Sequence, residues 1–81
     1  MKIPRDIGGQ ELVAALHRYG YRVTRQTGSP LRLTTRVNGE HHVTIPVHPA
    51  LRVGTLSAIL EEVSHHVKRT KSEMIQELWG S

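Results

Sequence analysis

The stretch RQTGSPLRLTT, residues 25–35, combines two arginines, a Gly28-Ser29 corner and a run of strand-forming residues. Shortly after it, His41 and His42 follow Asn38-Gly39-Glu40. Guanidinium groups hold oxyanions through charge-assisted, often bidentate hydrogen bonds. Imidazole, with an unperturbed pKa of about 6.5, exchanges a proton near neutral pH. These residue types suit polyanion binding, with histidine the side chain able to move a proton. Pro30 stands where a reactive side chain could follow the corner, and it has no titratable group. Its ring fixes φ and keeps Ser29 out of helical geometry, so the corner stays extended or turned.

Neighbours on a strand face opposite sides, so His41 and His42 cannot both serve one site. His42 shares its face with Arg32 and Arg36, which makes it the histidine best placed beside those arginines, near the hairpin end of its strand. An ordinary exposed histidine is the plainer reading. His48 precedes Pro49 in a connection, His17 sits on the exposed side of the first helix, and His65 and His66 follow the second helix without an obvious carboxylate partner. Scattered histidines with neither a metal-type helical pair nor cysteine knuckles make no zinc site. No metal and no other cofactor is expected.

Charge narrows the partner. Residues 1–52 carry eight Lys and Arg against three Asp and Glu, a net of +5, whereas residues 53–81 net −1. The first two-thirds of the chain is therefore the candidate polyanion-binding part, and charge alone does not separate RNA, DNA and an acidic protein partner. With 81 residues the chain makes one domain, and a domain of that size buries only about 60% of its unfolded surface, so function sits on faces and edges. The absence of cysteine excludes disulfides and thiolate sites. No apolar run reaches the roughly 20 residues that span a bilayer, and MKIPRDIGGQ lacks a signal-peptide core. The expectation is a soluble, cytoplasmic protein that does not engage a membrane.

The elements that must position these groups follow from periodicity. QELVAALHRYG places Leu12, Val13, Leu16 and Tyr19 on one helical stripe with Gly20 as its stop. YRVTRQ alternates Tyr21 and Val23 against Arg22, Thr24 and Gln26; LRLTTRV alternates Leu31, Leu33 and Val37 against Arg32, Thr34 and Arg36. Asn38-Gly39 predicts a two-residue type I′ hairpin. In HHVTIPV, Val43, Ile45 and Val47 oppose His42, Thr44 and Pro46, and Pro46 puts this strand at an edge or ends it. Val53, Leu56, Ile59, Leu60 and Val63 make a second stripe. Thr70 and Glu73 then form a capping box that opens a short helix carrying Met74, Ile75, Leu78 and Trp79.

Helix, three antiparallel strands, helix and short helix predict a two-layer α+β sandwich. Its open sheet face collects Arg22, Thr24, Gln26, Arg32, Thr34, Arg36, His42 and Thr44. A solvated face that serves only solubility has the same composition. Tyr19, Tyr21 and Trp79 all lie on apolar stripes, so contact with a nucleic-acid backbone fits better than base stacking.

GQELVAALHRYGYRVTRQTGS, NGEHHVTIPVH and LRVGTLSAIL, in this order, resemble the HicA-type toxins of bacterial and archaeal toxin–antitoxin pairs, from about Ile7 to Val63. The specific parts are Gly20-Tyr21, Arg25-Gln26 before Gly28-Ser29, and Pro46-x-His48 before Gly54-Thr55-Leu56. The resemblance implies a double-stranded-RNA-binding-like α-β-β-β-α fold with an added short C-terminal helix: one domain over 1–81, its core about 7–64 and the last helix about 71–79. It implies a metal-independent endoribonuclease that cleaves mRNA and is held by a HicB-type antitoxin. The family's catalytic histidine follows the Gly-Ser pair, and here that position is Pro30. Such a histidine would accept the proton of an RNA 2′-hydroxyl as it attacks the neighbouring phosphate, a role that contributes roughly 10²–10⁴-fold. The expectation is thus a catalytically impaired RNA-directed toxin with Arg22, Arg25, Gly28, Ser29, Arg32 and Arg36 at the RNA and His42 as substitute base. Pro30 has three explanations: an inactivating change, a natural member that binds without cutting, or an active site built from other residues. The alternative function is a non-catalytic RNA-binding or antitoxin-binding module.

Overall fold

A computed structural model of the chain describes residues 3–25 and 30–80. Helix α1 (Gly9–Leu16) begins where the Gly8 N–H donates to the Glu11 carboxylate at 3.1 Å, and it tightens into a 3₁₀ turn over His17–Tyr19. Leu12, Val13, Leu16 and Tyr19 form the expected buried stripe. Gly20 stops the turn at φ 86°, a left-handed geometry that glycine adopts without a side-chain clash.

Strands β1 (Arg22–Arg25), β2 (Leu31–Thr35) and β3 (His41–Ile45) form an antiparallel sheet in the order β1-β2-β3. Helices α2 (Val53–Val67) and α3 (Lys71–Trp79) follow, which gives the α+β, α-β-β-β-α order with an added C-terminal helix. Helices α1 and α2 pack on one face of the sheet, α1 against β1 and β3 and α2 against β3, while α3 packs on α2. Leu12, Leu16, Tyr21, Leu33, Ile45, Leu56 and Leu60 fill the layer between them. β3 is an edge strand and stops at Ile45, one residue before Pro46, in keeping with the ladder bond that proline cannot donate. In α3, Thr70 accepts the Glu73 N–H at 3.0 Å and Glu73 accepts the Thr70 N–H at 2.8 Å, completing the capping box.

Three details differ from the sequence pattern. The last ladder pair is Thr35↔His41, so residues 36–40 form a longer connection than a two-residue hairpin. The cause is Thr35, which is buried: its hydroxyl donates to the Tyr19 carbonyl at 3.1 Å and accepts the Val37 N–H at 3.2 Å, diverting the chain out of the ladder. Asn38 and Gly39 still take the positive φ values, 60° and 98°. Val37 consequently lies outside β2 and is 52% exposed instead of inward. Val53 is also exposed, at 48%, because it begins α2 and the apolar stripe first meets the core one turn later at Leu56.

The start of α1 lies against the chain leaving β3. The Gly9 N–H donates to the His48 carbonyl at 2.9 Å, and the Leu51 N–H donates to the Ile7 carbonyl at 2.7 Å. A Cβ at Gly9 would run into the Pro46 carbonyl oxygen, whereas one at Gly54, in the first turn of α2, would meet nothing within 4 Å. Gly9→Ala therefore lowers stability by about 1–3 kcal/mol through overpacking. Gly54→Ala raises it by about 0.5 kcal/mol by restricting the unfolded chain. Urea midpoints of the two variants, moving in opposite directions from the parent, check this.

Candidate functional site

The sheet face opposite the helices carries the site. Its making depends on an irregularity in β1. The register pairs Arg22↔Thr34 and Val23↔Leu33 and then jumps to Arg25↔Arg32, leaving Thr24 as an extra residue in a bulge. Strict alternation would turn Arg25 to the side of Val23. The bulge instead pairs Arg25 with outward-facing Arg32, and Thr24 also stays outside, its hydroxyl 2.9 Å from that of Thr34. Bulges commonly re-aim a side chain in this way.

Arg25, Arg32 and Arg36, with Thr24, Thr34 and His42, line an open cavity of about 360 Å³ whose rim includes Glu40. A second cavity, of about 590 Å³, adjoins it through Thr24, Thr34 and Arg36 and takes in Arg22 and Val37. The Arg22 guanidinium donates to the backbone carbonyls of Tyr21 at 3.2 Å and His17 at 3.4 Å. Among the described residues no carboxylate forms an ion pair with Arg22, Arg25, Arg32 or Arg36, and the ion pairs found among them engage Arg69, Lys71 and three histidines. The arginines are exposed, and Glu40 on the rim is a carboxylate that lines the cavity with them.

Adjacent His41 and His42 do face opposite sides. His42 points outward: its Nδ1 lies 2.7 Å from the Thr34 hydroxyl and its Nε2 2.9 Å from the Glu40 carboxylate. His41 points toward the helices, with Nδ1 2.7 Å from the Tyr21 hydroxyl and Nε2 3.3 Å from Glu62 on α2. The His66 ring stacks on it at 4.5 Å and 13°, and the Tyr21 ring meets it edge-on at 5.9 Å. Burial, followed by the nearby His66, lowers the pKa of His41 below its ordinary value, with Glu62 opposing. Burial and then the Glu62 charge raise the Tyr21 phenol. These neighbours suit a neutral ring that accepts from Tyr21 and donates toward Glu62.

Pro30 is exposed and directly precedes β2. Gly28 and Ser29 lie outside the described residues. His17 is exposed, as expected, and His48, in the connection before Pro49, is exposed as well. His65, which the sequence leaves without an obvious partner, pairs with Glu61 one helical turn earlier at 3.4 Å, and His66 Nε2 lies 2.8 Å from the Val37 carbonyl. Sequence reasoning passed over Glu40 and Glu62. Glu40 was accessible to it, because residues two apart on extended chain share a side; Glu62 reaches His41 only through the packing of α2 on β3. No group of three or more His, Asp or Glu among the described residues could hold a metal ion, and no described helix is long and apolar enough to cross a membrane.

Comparison with known proteins matches one family model, HicA toxin of bacterial toxin-antitoxin, over residues 9–69, most of the chain. No curated protein and no solved structure matches the chain.

The neutral preference of His41 sets a pH dependence. The folded chain holds this proton less tightly than the unfolded chain, so the contribution of His41 is present above the unfolded value of about 6.5 and is lost as pH falls toward the folded value. The melting temperature is expected to drop on acidification from about pH 7.5 to about pH 5.5, and to drop less in His41→Gln. Parallel melting curves of the two chains across that range test the assignment.

Proposed function

This chain belongs to the HicA toxin family, the toxin partner in bacterial toxin–antitoxin pairs, and from that premise we propose that it binds messenger RNA across the outer sheet face and cleaves it slowly. The observation that supports this reading best is Arg25 directly opposite Arg32, with neither in an ion pair among the described residues. Like charges at cross-strand positions destabilise a sheet, by up to about 1 kcal/mol. A polyphosphate laid between them turns that repulsion into attraction. Each phosphate so neutralised releases counterions, and this supplies affinity without reading sequence. Tyr21 and Tyr19 are buried, so the face has no aromatic platform and holds RNA by its backbone. Arg22 and Arg36 extend the contact beside the central pair, and Gly28-Ser29 is assigned the corner where the strand enters.

Pro30 occupies the position that the family resemblance gives to a catalytic histidine. A proline can neither take nor give a proton, so the chain as it stands is catalytically impaired in comparison with a histidine-bearing counterpart. The chemistry needs no cofactor in this reading, since the attacking group is the RNA's own 2′-hydroxyl. The antitoxin is inferred to be of the HicB type and to cover the same arginines with acidic groups. An mRNA substrate sets the action in the cytoplasm.

Two measurements test this. In binding titrations with a single-stranded RNA oligonucleotide, Arg32→Glu and Arg36→Glu each weaken affinity, and each lowers the slope of log affinity against log salt by about 0.7 per lost contact. Unchanged affinity and slope in both would remove the face from the reading. Pro30→His, purified away from antitoxin and assayed with chelator, cleaves RNA about 10²-fold or more faster than the parent. Binding without cleavage by either chain would leave a non-catalytic RNA-binding module.

A further inference from the structure

The outer face holds a hydrogen-bonded chain that the arginines alone do not explain. Thr24 and Thr34 hydroxyls lie 2.9 Å apart, Thr34 Oγ1 lies 2.7 Å from His42 Nδ1, and His42 Nε2 lies 2.9 Å from Glu40 Oε2. A carboxylate only accepts, so Glu40 selects the tautomer with the proton on Nε2. That leaves Nδ1 as the basic nitrogen, and the hydroxyl of Thr34 donates to it. The His42 side chain is 38% exposed, within the cavity that Arg25, Arg32 and Arg36 line. A hydroxyl-bearing ligand whose phosphate sat on those arginines would bring its own O–H into the place Thr34 now holds. His41 has the same pattern of partners, a hydroxyl on Nδ1 and a carboxylate at Nε2, but it faces the helices and meets no such ligand.

We propose that His42, positioned by Glu40, is the proton acceptor for cleavage of a ribose–phosphate link bound at Arg25, Arg32 and Arg36. This rests on the RNA-binding reading and deepens it: the slow cleavage of the chain passes through β3 and does not involve the Gly28-Ser29-Pro30 corner. Pro30 and Thr34 stand four residues apart, about 13 Å at the rise of a strand, so the two positions are separate places on the face. In the step, the 2′-O–H proton moves to His42 Nδ1 while the 2′-oxygen bonds to the adjacent phosphorus. The bond from phosphorus to the 5′-oxygen breaks, and that oxygen takes a proton from water. One fragment ends in a 2′,3′-cyclic phosphate and the other in a 5′-hydroxyl, and His42 returns its proton to solvent. Glu40 touches no reacting atom and is a positioning residue; Thr34 yields its place on Nδ1.

The test uses the full chain, freed of antitoxin, with chelator, on a fluorescent single-stranded RNA and on its 2′-O-methyl counterpart, which binds but lacks the attacking hydroxyl. The expected result is slow cleavage of the RNA alone, with cyclic-phosphate ends. His42→Ala lowers kcat about 100-fold with unchanged affinity for the 2′-O-methyl strand. Glu40→Gln lowers kcat about tenfold with KM unchanged, and Glu40→Asp restores most of the loss. His65→Ala, on the exposed side of α2, cleaves like the parent and shows that the loss is specific to His42, whereas a contaminating nuclease would cleave alike in every variant, His42→Ala included. Bound but uncut RNA, or equal cleavage by parent and His42→Ala, overturns the assignment to His42 and leaves the RNA-binding reading standing. Failure to bind either strand overturns that reading and this inference with it.

Discussion

The two-residue period of β3 is the constraint on which the molecule turns. It sends His41 and His42 to opposite sides of one sheet, and each side then obeys different rules. Toward the helices, a polar ring must find partners or pay desolvation, and His41 finds Tyr21, Glu62 and His66. Toward solvent, His42 needs none for stability, and the residues around it are arginines, threonines and one glutamate. A slip of one residue in the register would exchange the two sets. It would bury an unpartnered histidine and expose Val43 and Ile45, so the core and the outer face enforce the same alignment.

A small domain has little core to spare for such a division, and close backbone contacts help to fix it. The start of α1 docks on the segment leaving β3 through the Gly9–His48 and Leu51–Ile7 bonds, close enough that Gly9 has no room for a side chain. That contact and the packing of α2 on β3 hold the edge strand from its inner side, while Ile45 ends the ladder before Pro46. The outer face can therefore carry side chains chosen for something other than packing.

Much of this was legible in the sequence because it depends on periodicity. The helical stripe from Leu12 to Tyr19, the Thr70–Glu73 box and the opposed histidines follow from local spacing and appear as read, and the second stripe does so from Leu56 to Val63 but not at its first residue, Val53. What escaped was non-local. Thr35 looks like a neutral strand residue until Tyr19 offers it a buried carbonyl, and that bond shortens β2 and lengthens the hairpin. The bulge at Thr24 is equally silent in an alternating pattern, yet it decides that Arg25 stands opposite Arg32. At the candidate site, the arginines and His42 could be grouped in advance by face. The Thr34 hydroxyl on the His42 ring became visible only once β2 and β3 were in register, whereas Glu40, two residues before His42, was open to a local reading.

Local inconsistency is where function tends to reside, because selection for stability alone would remove it. By that criterion the outer face has two features to explain. Cross-strand Arg25 and Arg32 repel each other, where a glutamate at either position would stabilise the sheet. The inward ring of His41 is held by burial and packing, but the outward ring of His42 is fixed by Glu40 and Thr34 where solvent would have satisfied it without them. A face maintained for solubility explains neither, since scattered charges of mixed sign serve that purpose better. An anionic ligand explains the first, because it removes the repulsion on binding. A ligand that also carries a hydroxyl explains the second, because the ring is then held in the one tautomer that can receive its proton. RNA is a ligand that joins phosphate and hydroxyl at every residue, whereas DNA lacks the hydroxyl and an acidic protein surface lacks the regular pairing.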